Sequence, residues 1–306
     1  MNAIIRPATR ADLAALHELA CATLVLDRFS PALLEEKLFA GPRPEQMTWE
    51  TWVADVSGRP VGFMQSVVRR AAHKAWIGLF AVAPEVRRMS LATALFEHVR
   101  GTWPAEISTA EVLAIPANYF TPGLDPRYTE ALCFLEALGF RRGRDCVNLR
   151  GDLPQRFDTI ADQTRLQSLG IVVRRAAPSD AAALDAFFAA HFGDDWRFEC
   201  SLAEARDPPA VHLAWQADQI IAFSAHSTQN REWGFFGPMG TAPAARGLGV
   251  GRLLLWHCLN DLYDAGHRTC VIPWVGPIAF YRRWAGCRVE RVFWRYELDL
   301  SQRPTG

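Results

Sequence analysis

The chain has 306 residues, half of them apolar, with 33 basic and 33 acidic side chains, so two domains of ordinary size can each bury a core. A net charge of zero with no long run of one sign excludes a dedicated nucleic-acid surface, and no stretch reaches the roughly 18 uncharged apolar residues of a membrane span. The start carries Arg6, Arg10 and Asp12 where a signal peptide needs an apolar run, and seven cysteines stand singly, never as CxxC, so a cytoplasmic protein with reduced thiols and no metal site is expected.

In chain order, residues 5–16 (IRPATRADLAAL) read as a strand carrying Arg6, a turn, Asp12 at a helix N-cap and an Ala/Leu helix. Strand-like runs follow at 51–56, 60–68 and 75–82, the first two joined by a glycine-marked hairpin at 57–59. Residues 82–99 (VAPEVRRMSLATALFEHV) lead into a helix, 118–128 (NYFTPGLDPRY) form a turn-rich loop suited to domain packing, and 131–140 (ALCFLEALGF) form another helix. A Gly/Pro opening and a closing glycine mark 151–170 as a linker, with a short helix over 157–169 expected to pack between domains. The pattern then recurs: 173–184 (VRRAAPSDAAAL) puts Asp180 at the place of Asp12, strands are predicted at 211–216, 219–227 and 232–241, and 241–259 and 279–287 answer 82–99 and 131–140. Three landmarks in one order predict a duplicated α+β (mixed α/β) domain, residues 1–150 and 171–306.

The chemistry is concentrated in Arg246-Gly247-Leu248-Gly249-Val250-Gly251-Arg252, between a predicted strand and a predicted helix whose stripe is Val250, Leu254, Cys258 and Leu262. Glycines let backbone amides face inward without side-chain obstruction, and a helix N-terminus adds partial positive charge, so an anion site is expected, with Arg246 or Arg252 adding charge. A P-loop is excluded because no Lys follows Gly251, and a dinucleotide fold because Asp261 and Asp264 come too early.

At these residues the sequence resembles the GCN5-related N-acetyltransferase (GNAT) family, whose signature (Arg/Gln)-x-x-Gly-x-(Gly/Ala) reads here Arg246-x-x-Gly249-x-Gly251, preceded by Pro243. The resemblance covers both halves and implies two tandem domains, each a mixed, mostly antiparallel sheet flanked by helices. It implies that the amides of residues 247 to 252 hold the diphosphate of acetyl-CoA, that Met239, Gly240 and Thr241 pair with its pantetheine amides, and that Tyr281 protonates the departing thiolate. The stretch 279–286 (AFYRRWAG) has one residue more than usual between Tyr281 and Gly286, and Trp274 stands where the family often has Asn. In the first copy Ser90 replaces the first loop glycine, and Leu135 or Phe134 replaces the tyrosine, so only the second domain is expected to be active.

Glu232, read as opening the fourth strand, and His226, read as ending the third, are the candidate bases for removing the amine proton. The acceptor is expected to be a small-molecule amine, favouring an amino sugar, because residues 191–196 (HFGDDW) combine acids with aromatics. The rival expectation is a silent CoA-binding sensor or scaffold. Neither reading separates a monomer from a homodimer.

Overall fold

In a computed structural model that describes residues 3–41 and 43–301, one order of elements, β-α-α-β-β-β-α-β-α-β, occurs twice. The first pass is β1 (Ile4–Pro7), α1 (Leu13–Thr23), α2 (Pro31–Glu35), β2 (Thr48–Val56), β3 (Arg59–Arg69), β4 (Lys74–Val82), α3 (Leu91–Thr102), β5 (Thr109–Val112), α4 (Thr129–Ala137) and β6 (Arg141–Asp152). After α5 (Ile160–Ser168), the second is β7 (Ile171–Arg175), α6 (Ala181–His191), α7 (Asp194–Glu204), β8 (Val211–Gln216), β9 (Gln219–His226), β10 (Phe236–Thr241), α8 (Val250–Asp264), β11 (Thr269–Ile272), α9 (Ile278–Ala285) and β12 (Arg288–Asp299). The duplicated mixed α/β fold is as expected, mostly antiparallel and flanked by helices. Among the described residues no helix is long and apolar enough to cross a membrane.

The division into domains differs from the in-line one at 150 and 171. One compact unit is residues 1–146 with 293–306, and the other is residues 147–292. β6 and β12 have 12 residues each, about 40 Å of extended chain, and each contributes one half to either unit. In the first unit the order is β1-β2-β3-β4-β5-β12-β6, with Glu297 opposite Glu111 and Asp299 opposite Thr109. In the second, the end of β6 pairs with β11, from Thr269 opposite Asp152 to Ile272 opposite Leu149. Strand-forming tendency is local, whereas the choice of sheet is not, which is why an in-line repeat suggested otherwise. Nor are residues 151–170 a separate linker: β6 runs to Asp152, and α5 packs within the second unit. Leu166 is fully buried beside Ile171, Val173, Leu253 and Leu254, while Ile160 and Leu169 are exposed.

Alternation along β8 and β9 builds two cores in the second unit. Leu213 and Phe223 face α6 and α7, whereas Ala214 and Ala222 face α8, whose Val250, Leu253 and Leu254 are buried against them. Small alanines on that face let α8 lie close to the sheet. The predicted stripe of α8 is buried in full, from Val250 through Leu254 and Cys258 to Leu262.

Asp12 and Asp180 are equivalent, as the repeat implies, but neither caps its helix with its side chain. Each carboxylate turns back to the N–H three residues earlier, on Thr9 and Ala177, both at 2.8 Å. Each also accepts from the arginine of the preceding strand, Arg6 at 2.7 Å and Arg174 at 2.6 Å. The hydrogen bond from Arg6 leads in holding Asp12 down to about 2.

Candidate active site

The chain leaves β10 through a single turn at Pro243–Ala245, and α8 starts at Val250. Between them Arg246 is extended, while Gly247 (φ +85°) and Gly249 (φ +81°) are left-handed. A Cβ on Gly247 would meet nothing within 4 Å, so the loop's outer face is open. Arg246 donates back to the carbonyl of Thr241 at 3.4 Å, and Arg87 of the first unit does the same to Val82 at 3.2 Å, so this arginine closes the turn in both copies. Arg252 is held in an ion pair by the buried Asp162 of α5 and lies over the rings of Trp256 and Trp284, at 5.2 and 4.3 Å. Of the two arginines expected to add charge, one is therefore a turn closure and the other a packing clamp.

β10 is the edge strand of its four-stranded sheet. β11 touches it only near its start, where the Val271 N–H reaches the Gly234 carbonyl at 3.0 Å and Phe235 bridges Val271 in parallel. Beyond that point the two strands part, so the outward edge from Gly237 to Thr241, which includes Met239 and Gly240, has no strand partner among the described residues. Such an edge can take an extended, amide-bearing ligand as an added strand. The register on the β9 side also breaks between Phe236 and Met239, a bulge that bends β10 there.

Tyr281 of α9 lies in the core with Leu255, Cys258, Ile272 and Cys287, its ring edge-on to Phe236 at 6.0 Å and to Phe280 at 5.1 Å. The additional residue before Gly286 therefore leaves the tyrosine beside the start of β10. Burial pushes its phenol well above the ordinary value, and its hydroxyl has no partner among the described residues. At neutral pH it keeps its proton.

Of the two base candidates, one is placed differently from the expectation. Glu232 lies in an exposed turn, Arg231–Trp233, ahead of β10 rather than on it. His226 does end β9, but it is buried, with Nδ1 3.0 Å from Ser227 Oγ and Nε2 3.2 Å from Asp261 Oδ2 of α8. Asp261 also takes bonds from His212 Nε2 and Arg175, each at 2.7 Å, and His212 stacks on His257 at 5.0 Å. Burial alone would raise the Asp261 carboxyl, but the bonds from His212, His226 and Arg175 outweigh it and hold it far below the carboxylate range. Sequence reasoning missed this network because its members lie up to 86 residues apart.

The segment 191–196 is where acceptor contacts were expected, and it packs onto β10. The Phe192 ring lies where a side chain on Gly240 would go, Trp196 stacks on Phe192 at 5.2 Å, and Asp194 and Asp195 begin α7. In the first unit Arg88 (φ +62°) and Ser90 (φ +60°) hold the left-handed places of Gly247 and Gly249, and Leu135 is buried. That loop keeps the backbone and loses the bare surface. Cys133 is exposed, and all seven cysteines are free.

Two copies of one order of elements, each with a loop that enters a helix through left-handed residues, thus stand in tandem. The sequence matches the acetyltransferase (GNAT) family over residues 15–107 and 180–286, and the chain belongs to that family. Members of this family generally take their acyl group from acetyl-CoA. No curated protein matches the sequence. Among solved structures, a GCN5-related glucosamine N-acetyltransferase region of a fungal multi-domain GH3 β-N-acetylglucosaminidase is similar at 18% identity and TM-score 0.81. The match covers 97% of this chain but 38% of that one. A GCN5-related N-acetyltransferase from Sphaerobacter thermophilus matches at 22% identity and TM-score 0.71, over 99% of this chain and 96% of its own. A tandem GNAT protein of the clavulanic acid biosynthesis pathway matches at 15% and 0.73, over 99% and 100%. At these identities the likeness is one of fold.

Proposed function

We propose that the chain is an acetyl-CoA-dependent N-acetyltransferase that works through its second unit, with the first unit silent. The observation that carries the reading is the open edge of β10 leading straight into the bare loop of residues 247–251. Amides of 247–252 suit a diphosphate, and Met239, Gly240 and Thr241 suit the pantetheine amides. Acetyl-CoA supplies an activated thioester. The acceptor amine attacks it directly, the C–S bond breaks, and Tyr281 gives the leaving thiolate its proton. His226 is committed to Ser227 and Asp261, and Glu232 stands on an exposed turn, so the amine loses its proton to solvent. The acids and stacked aromatics of 192–196 favour a small cationic or sugar amine, in line with the glucosamine N-acetyltransferase among the similar folds.

Thiol release from acetyl-CoA, measured over a panel of amines that includes glucosamine, tests this. Release that rises with one amine class supports the enzyme. Tight CoA binding with no release on any amine makes the chain a CoA-binding protein instead.

A further inference from the structure

We infer that Arg165, on α5, is a phosphate-binding residue for the coenzyme, recruited from outside the loop that the family signature covers. The inference rests on the acetyl-CoA reading of the second unit. A Cβ built on Gly249 would lie 2.5 Å from Arg165 Nη2, so the guanidinium rests on the left-handed residue that opens α8. Among the described residues its acidic partner is Asp162, at 3.6 Å, which also pairs with Arg252. A guanidinium beside the positive end of a helix adds to the pull on an anion there. Asp162 is shared between Arg165 and Arg252 and balances one of these two charges; phosphoryl oxygens lying on the loop amides would meet the other. Arg165 is also exposed over 42% of its side chain, so a ligand can reach it. Gly249 thus serves twice, supplying the positive φ and leaving room for the arginine.

Calorimetric titration of the full chain with CoA, 3′-dephospho-CoA and inorganic pyrophosphate tests the assignment, using Arg165→Ala and Arg165→Lys. Losing a charge-assisted hydrogen bond should weaken CoA binding about ten- to a hundred-fold in Arg165→Ala, with the lysine variant in between. An equal loss for CoA and dephospho-CoA assigns Arg165 to the diphosphate, and a loss for CoA alone assigns it to the 3′-phosphate; both support the inference. Unchanged affinity in Arg165→Ala, with CoA still bound, overturns the inference and leaves the acetyl-CoA reading standing. Pyrophosphate binding that needs Arg165, in a chain that ignores CoA, overturns the acetyl-CoA reading and keeps the anion site. A wild-type chain that binds none of the three overturns both. Unfolding temperatures of the variants check that the pairing of Asp162 with Arg252 still holds α5 in place.

Discussion

Gly249 and Ser90 hold the same left-handed position in the two copies, at φ +81° and +60°, and a side chain there carries a steric cost that glycine does not. Ser90→Gly should therefore stabilise the chain by up to about 1 kcal/mol, the relief of strain being partly offset by glycine's greater freedom when unfolded, and a small rise in unfolding temperature would show it. Gly249→Val should abolish CoA binding, because the branched side chain is strained at this φ and displaces Arg165. Tyr281→Phe keeps the ring between Phe236 and Phe280, so CoA affinity should hold while kcat drops by about 10²- to 10⁴-fold, the usual contribution of a general acid. Loss of affinity with kcat unchanged would make Tyr281 a packing residue. That the loop glycines turn into a helix and that Tyr281 lies on one was legible in the sequence, because such features depend on neighbours within one turn of chain. Arg165 was not, since a gap of 84 residues separates it from Gly249 and only packing of α5 joins them.

Helix α8 and strands β8 and β9 are joined by more than apolar contact. Its inner face carries His257 and Asp261 to the strand histidines, and the charge state of these imidazoles ties the packing to pH. Burial, then the neighbouring His212, holds His257 down to about 4, and burial likewise lowers His212. A histidine with a depressed value binds its proton in the unfolded chain before it does so in the folded one. Stability from this pair is therefore present above about pH 6.5 and drains away as pH falls towards 4. Asp261 is lowered too, so the stability it contributes is full above the ordinary aspartate value and is lost as pH falls below that value. Unfolding temperature followed from pH 7.5 to 4 should fall steeply below 6.5, and His257→Gln should flatten that fall. An equally steep profile in the variant would place the acid sensitivity elsewhere. Of this element the apolar stripe was readable from four-residue spacing, but His226 was read as a candidate base because a strand end gives no sign of which helix residue it will meet.

At the scale of the chain, duplication was legible as three landmarks in order, and the exchange of strand halves was not, because nothing local in a strand says which sheet each half of it will join. The exchange places residues 293–301 in the first unit. Beyond Val292 the chain supplies Phe293, Tyr296, Leu298 and Leu300, all buried, together with the Tyr296 hydroxyl on Glu136 at 2.9 Å and Arg295 on Glu111 at 2.5 Å. Burial of each large side chain contributes about 1.5–3 kcal/mol, so removing four approaches the whole stability of a domain, about 5–15 kcal/mol. A chain ending at Val292 should therefore lose the fold of residues 1–146, although none of those residues is altered, while residues 147–292 keep every strand of their own. Hydrogen exchange should show β1 to β5 losing protection and α8 retaining it, and CoA should still bind once per chain. Protection lost first in α8 and β10, or kept throughout the first unit, would mean that the end of β12 belongs energetically to its own copy.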